Sequence, residues 1–358
     1  MFRDLSCLLP LLGCLALSCG QEPAEAEFSP KKWIEEQKKA EPTYAGPKVR
    51  LAPAFPPGSY TLTESVTTKN RMKSTETGET HSTQTKRTIT GDVLISPPGD
   101  DGVQTVRYTC RRIQETNSTA RGTVSYDSAN PVVDEENAKL SEELAARCEP
   151  FVGWAATLRV QDGRVIGTEG LEDLMAAVAE SSEGEEPDET LLTVRRRMQR
   201  FLKQLLTQRW GRLLPDEPVG PGDTWERTVA VKEIPFLGPG SFQAACLLED
   251  IEQREAGKIA VLRFAIGTVV RDQPVDLSEL GSQPVKGTAG DIQFQSKGTA
   301  RFDLDLGLSR NTKLDMQAKG DLYLRGPEAN VRVDFEVDTQ VQTTLEPRAA
   351  AEPPGPAE

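Results

Sequence analysis

From Ala300 onward the chain alternates. Ala300, Phe302, Leu304, Leu306 and Leu308 are apolar, with Arg301, Asp303, Asp305 and Gly307 between them. After a turn expected at Ser309-Arg310-Asn311, the pattern returns at Leu314, Met316, Ala318, Leu322 and Leu324. It returns again at Val331, Val333, Phe335, Val337 and Val341. A period of two puts successive side chains on opposite faces of a strand. Three such segments in a row predict an antiparallel meander with one apolar and one charged face. Residues 58–68, 103–115 and 120–127 are rich in Thr, Val and Tyr and read as further strands, with Asn117-Ser118-Thr119 as a turn.

Helical spacing interrupts the strands. Over 171–180, Leu171, Leu174, Met175 and Val178 share a side. Over 189–210, Leu191, Val194, Met198, Phe201, Leu202, Leu205 and Leu206 gather on one arc, with Arg196, Arg197, Arg200 and Lys203 opposite. Asp188 and Glu189 suit that helix's N-terminus and Gly211 its end. A third, shorter helix is expected within 134–148. The expected fold is therefore β-rich α+β: mostly antiparallel curved sheet, with a few amphipathic helices packed on one face.

The chain echoes itself. PPGSYTLTESVTTK (56–69) is matched by GPGDTWERTVAVK (220–232), and RRIQETNSTARGTVSY (111–126) by EDIEQREAGKIAVLRF (249–264). This suggests two similar halves, 53–168 and 215–346, joined by the helical segment 171–212. Chance recurrence of strand–turn–strand is the competing explanation. Residues 19–52 are rich in Pro and charge and read as a flexible tether, in which Ser29 and Pro30 could cap a short helix. The folded domain is expected over 53–346. The tail, 347–358, is too polar and Pro-rich to pack.

The first residues change the picture from fold to place. Leu5 to Leu17 is an apolar run too short to span a bilayer. It suits the core of a secretory signal peptide, 1–18. Ala16-Leu17-Ser18-Cys19 resembles a bacterial lipobox, with Ala16 where Leu is usual. Leu11-Leu12-Gly13-Cys14 fits that consensus better but leaves a very short signal, so Cys19 is favoured as the lipidated residue. Cys7 and Cys14 would leave with the signal. The alternative is a soluble secreted protein with a spare cysteine. Acylation at Cys19, by palmitate or similar chains, would anchor the chain stably in a membrane. Gly20, in place of an inner-membrane retention Asp, leans toward the outer membrane, facing periplasm or exterior. Cys110, Cys148 and Cys246 remain, enough for one disulfide of unassigned pairing.

Charge and chemistry narrow the function classes. A net charge of −13 argues against a nucleic-acid partner. The one histidine, His81, stands in a Thr-rich stretch, which removes the usual general base from nearly everywhere. No metal, nucleotide or hydrolase motif accompanies it, so neither a metal nor a cofactor is expected. The carboxylates Asp303/Asp305 and Glu336/Asp338 have the spacing of a strand face and read as solvated rather than as a glycosidase pair. The basic arc at 195–212 follows an acidic run at 172–189, which favours a helix lying on the sheet over one lying on a membrane.

Four short motifs carry a resemblance: Gly58-Ser59-Tyr60, Tyr126-Asp127-Ser128, Gly167-Thr168-Glu169-Gly170-Leu171, and the segment Pro215 through Trp225. Over 56–345 the chain resembles a family of exported bacterial lipoproteins classed as a domain of unknown function. The resemblance implies no catalytic residues. It implies structural roles for Gly222 and Asp223 in a turn and for Trp225 as an anchor at a strand start. In architecture alone the chain is similar to LolA-like carriers of lipoprotein acyl chains. The expectation is a non-catalytic, lipid-anchored envelope protein with a binding or structural role, its partners the membrane and an envelope protein or apolar ligand. The alternatives are a carrier of lipid or another apolar ligand between sheet and helices and, less favoured, a hydrolase.

Overall fold

The computed structural model describes residues 28–38, 44–52, 54–131, 137–161, 164–181, 213–234, 238–255, 257–276, 286–325 and 330–348. The signal segment with Cys7, Cys14 and Cys19, the helix expected at 189–210 and the end of the tail lie outside the described residues.

Strands dominate. In chain order they are β1 (Gly58–Ser74), β2 (Thr80–Ile95), β3 (Gln104–Thr119), β4 (Gly122–Asp127), β5 (Ala155–Gln161), β6 (Arg164–Glu169), β7 (Thr224–Ile234), β8 (Gly238–Arg254), β9 (Gly257–Val270), β10 (Gln273–Asp276), β11 (Lys286–Ala289), β12 (Ile292–Asp303), β13 (Leu308–Arg325) and β14 (Asn330–Pro347). The helices are α1 (Pro30–Glu36), α2 (Ala138–Cys148) and α3 (Leu171–Ser181). All strands belong to one open antiparallel sheet of order β6-β5-β3-β2-β1-β14-β13-β12-β9-β8-β7, with β4 beside β3, and β10–β11 reached through β13. Two meanders thus lie side by side, and β1 and β7 occupy the same end of each. The first strand is zipped to the last, Tyr60 opposite Pro347 at one end and Ser74 opposite Val333 at the other.

Alternation decides which face is buried. On β1, Tyr60, Leu62, Val66 and Met72 point to the apolar face. Val337 and Val341 of β14 and Leu314, Met316 and Ala318 of β13 point the same way. One cluster on this face centres on β1–β6 and takes in Leu144 and Cys148 of α2 and Leu171 and Leu174 of α3. A second, with Phe242, Leu248, Phe264 and Phe302, underlies β7–β9 and β12–β14. The entry to α3 needs a glycine. Gly170 has φ +84, and a Cβ there would lie 2.4 Å from the Ala155 carbonyl oxygen. The Gly170 carbonyl also accepts from the Trp154 indole at 2.6 Å.

The helices do not all share one face. Strand β8 reads Gln-Ala-Ala-Cys-Leu-Leu, and both its faces are buried. Ala244, Cys246 and Leu248 join the second cluster, while Ala245 and Leu247, with Ala265 of β9, lie under α1. Within the stretch expected to be a tether, α1 is therefore seated on the sheet. Ser29 caps it, its hydroxyl accepting from the Lys32 N–H at 3.3 Å. Ile34 is its anchor, 1% exposed. Lys31 pairs with Glu226, and Val49 forms a bridge with Val219.

Two expected turns move. Asn117, Ser118 and Thr119 remain in β3, paired with β4 as far as Thr119 opposite Gly122. Only Ala120 and Arg121 are left for the loop, a length that favours tight hairpins. Ser309, Arg310 and Asn311 are in β13 rather than in a turn. That turn is at 304–307, and Asp303 builds it. The Asp303 carboxylate accepts from the Asp305 and Leu306 N–H groups, and its carbonyl accepts from Gly307. A register shift opposite Arg301 and Phe302 leaves Arg310 as an extra residue on β13, and Arg310 bonds the Asp303 carboxylate.

Candidate functional site

The face opposite the apolar one is polar over β1, β14, β13 and β12. A groove of about 390 Å³ lies on it. Its floor is two rows of side chains that run across the four strands. In one row, Lys69 stands opposite Asp338, Asp338 opposite Gln317, and Gln317 opposite Gln295. In the other, Thr67 stands opposite Gln340, Gln340 opposite Asp315, and Asp315 opposite Lys297. Strand register alone brings these residues together from positions hundreds of residues apart.

Hydrogen bonds set the direction of the first row. The Gln295 amide donates to Gln317 Oε1. The Gln317 amide donates to Asp338 Oδ1 at 3.0 Å and reaches Glu336 Oε1 at 3.5 Å. At the β12 end the groove meets α1. The Lys297 ammonium lies 4.9 Å from the centroid of the Phe28 ring and 5.9 Å from that of Trp33, within cation–π range. A smaller space between Phe28 and β9, β12 and β13 shares Gln295 and Gln317 with the groove.

On the apolar face, a space of about 10 Å³ lies between Phe242, Ile266, Phe294, Met316 and Val337, enough for about one water. Ser296 borders both this space and the groove, and its hydroxyl has no hydrogen-bond partner among the described residues. Among the described residues no group of three His, Cys, Asp or Glu could hold a metal ion.

The residues singled out from sequence fall in several places. Gly222, at φ +86, makes the turn before β7. Asp223 closes that turn, accepting from Gly220 N–H at 2.9 Å and from the Lys48 ammonium at 2.8 Å. These two bonds, the backbone one foremost, hold its carboxyl below the usual range. Trp225 follows at the start of β7, packs against the second cluster and donates its indole N–H to the Leu213 carbonyl. Cys110, Cys148 and Cys246 are buried free thiols, not bridged to one another. Cys110 and Cys148 share the first cluster, whereas Cys246 lies in the second. Burial pushes the Cys148 and Cys246 thiols up to about 12, and for Cys148 the buried Glu115 carboxylate adds to the effect. Arg147 pairs with that carboxylate at 2.5 Å.

His81 is an exposed residue of β2, 4.0 Å from Glu79. Asp303 is not solvated as the alternation suggested. It is 1% exposed and held by two hydrogen bonds from Arg310, at 3.0 and 2.9 Å. Of the carboxylates noted from sequence, Asp338 belongs to the groove and Glu336 borders it through Gln317. The amides were missed. Gln295, Gln317 and Gln340 each look like ordinary outer-face residues in sequence, and their only signal was a shared phase of alternation.

No protein-family model matches the chain, and no curated protein matches it. Among solved structures, one of lipovitellin with lipid is similar at TM-score 0.38 and 6% identity, covering 84% of this chain and 27% of that one. The chain thus spans about a quarter of the lipovitellin chain. The Pseudomonas aeruginosa protein OpdQ is similar at TM-score 0.19 and 7% identity, covering 81% of this chain and 99% of that one. The β domain of the Bordetella autotransporter BrkA gives TM-score 0.19 and 8% identity, covering 80% and 98%. Likenesses this low carry no argument about function.

Proposed function

We propose that this chain is an exported, lipid-anchored protein of the bacterial cell envelope that binds a ligand rather than transforming one, and that the polar groove is where it binds. The groove carries the binding part of the reading. At about 390 Å³ it falls in the size range of small-molecule sites, and a bonded row of side chains fixes part of its floor. The export and anchor part rests on the apolar run before Cys19 and on the resemblance to exported lipoproteins.

On this reading the curved sheet and its helices are a scaffold of two similar halves, with β1 and β14 as the joint. The site's chemistry also suits binding. Its carboxylates lie in a hydrogen-bonded, paired floor, and the lone His81 is on β2, outside the lining.

Intact mass of the mature protein extracted from membranes, beside a Cys19→Ser variant, tests the anchor. A mass excess of three acyl chains that vanishes in the variant is expected. An unmodified mass would make the chain a soluble secreted protein.

A further inference from the structure

We propose that the groove binds a neutral, hydroxyl-rich chain, an oligosaccharide lying across the strands with one end against α1. This rests on the groove being a binding site and specifies its ligand. The first argument is charge. The floor holds two ammonium groups, Lys69 and Lys297, and two carboxylates, Asp338 and Asp315. Each cation stands directly opposite an acid in the strand register. A polyanion drawn to the lysines meets the two aspartates at the same depth, and a polycation meets the lysines. Neither gains a net field.

The second argument is hydrogen-bonding capacity. Gln295, Gln317 and Gln340 each carry two amide hydrogens and a carbonyl oxygen, and Thr67 adds a hydroxyl. The bonds along Gln295–Gln317–Asp338 use part of this capacity and fix the amides in place. What is left is a mixture of donors and acceptors at close spacing. A sugar hydroxyl both donates and accepts, so it matches that mixture. An apolar ligand would strand these groups at a cost.

Shape is the third. Four strands at ~4.8 Å spacing give a floor ~14 Å across, room for a short run of sugar rings. At its end the half-buried rings of Phe28 and Trp33 flank Lys297 and offer an apolar surface to the C–H face of a sugar. An extended peptide is the other neutral polar chain. It is recognised by adding to a free strand edge or by pockets for its side chains. Here the backbone of β1, β14, β13 and β12 is committed to neighbours on both sides.

The test is calorimetric titration of the full mature protein in detergent with three neutral hexasaccharides, cellohexaose, maltohexaose and chitohexaose. Hexagalacturonate and fully deacetylated chitohexaose serve as anionic and cationic probes. The expected result is binding of at least one neutral chain. It should weaken about tenfold in Asp315→Ala and in Gln340→Ala, each removing one hydrogen-bonding group from the floor. Asp100→Ala, in an exposed turn, should leave binding unchanged. Circular dichroism checks that each variant is folded. If a charged probe alone binds, and the floor variants weaken it, the ligand class is wrong and the binding groove stands. Neutral chains that bind with equal strength to both floor variants overturn the groove itself. Absence of neutral-chain binding at millimolar concentration overturns the proposal.

Discussion

The same face of the sheet is used in two opposite ways. Over β8 and β9 it is apolar and covered, with Ala245, Leu247 and Ala265 under Ile34 of α1. Over β13 and β14 it is polar and open, with Asp315, Gln317, Asp338 and Gln340 forming the floor of the groove. Size and bonding explain the contrast. Small alanines let a helix approach closely. Long side chains bonded to each other would lose their remaining partners under one. A seven-residue helix cannot be stable alone in water, so α1 exists because that apolar floor is there.

Substitutions can break or sharpen this contrast. The largest effect is expected beneath the covered region, on the apolar face. Leu248→Ala, at a side chain 0% exposed, should lower unfolding free energy by about 2–5 kcal/mol. Urea titration with an unchanged slope would attribute the loss to the folded core. Next comes the cover. Ile34→Ala should cost about 2 kcal/mol, the low end for such a truncation, because a terminal helix can peel away alone. Limited proteolysis should then cut near α1 before the sheet unfolds. An unchanged midpoint and cleavage pattern would mean that α1 contributes nothing to the face it covers.

A smaller effect follows pH. The Asp223 carboxyl is held below its ordinary range by the Gly220 N–H and by Lys48, which ties the N-terminal segment to the turn before β7. A depressed carboxyl stabilises fully above the unfolded value near pH ~4, and that contribution is lost as pH falls through the folded value. Because the pair is partly exposed, the loss should stay under about 1 kcal/mol. Comparing acid titrations of the wild type and Asp223→Asn by fluorescence isolates it. Equal pH dependence would remove Asp223 from the account. The smallest change is expected in the groove. Gln340→Ala should shift stability by no more than about 0.5 kcal/mol, since the side chain is exposed. A larger loss would make the floor a structural element rather than a binding surface.

Legibility in the sequence followed the same divide. The meander of β12–β14 could be read because one face is apolar and the other is not. The start of α1 could be read from Ser29-Pro30, yet its docking could not. Phe28, Trp33 and Ile34 are three apolar residues in a charged stretch, and their partner is two hundred residues away. The run Ala244 to Leu248 did hold a sign of double-sided burial. The groove was illegible because alternation says which face a residue takes but not what it stands beside. Register supplies that, and register depends on pairings such as Gln317 with Asp338. Asp303 shows the same limit locally, since its burial depends on a pair with Arg310, the residue that a bulge adds to β13.

The seat of α1 also sets a distance. On the proposed anchor at Cys19, eight residues, 20–27, lie between the acylated cysteine and Phe28. Even fully extended, such a leash reaches about 30 Å, roughly the thickness of a bilayer's hydrocarbon core. The molecule could not roam the envelope or present any side at will. It would be moored by the flank that carries α1. A ligand arriving there would be met at the membrane surface, within one molecular diameter of it, and not in the open space beyond.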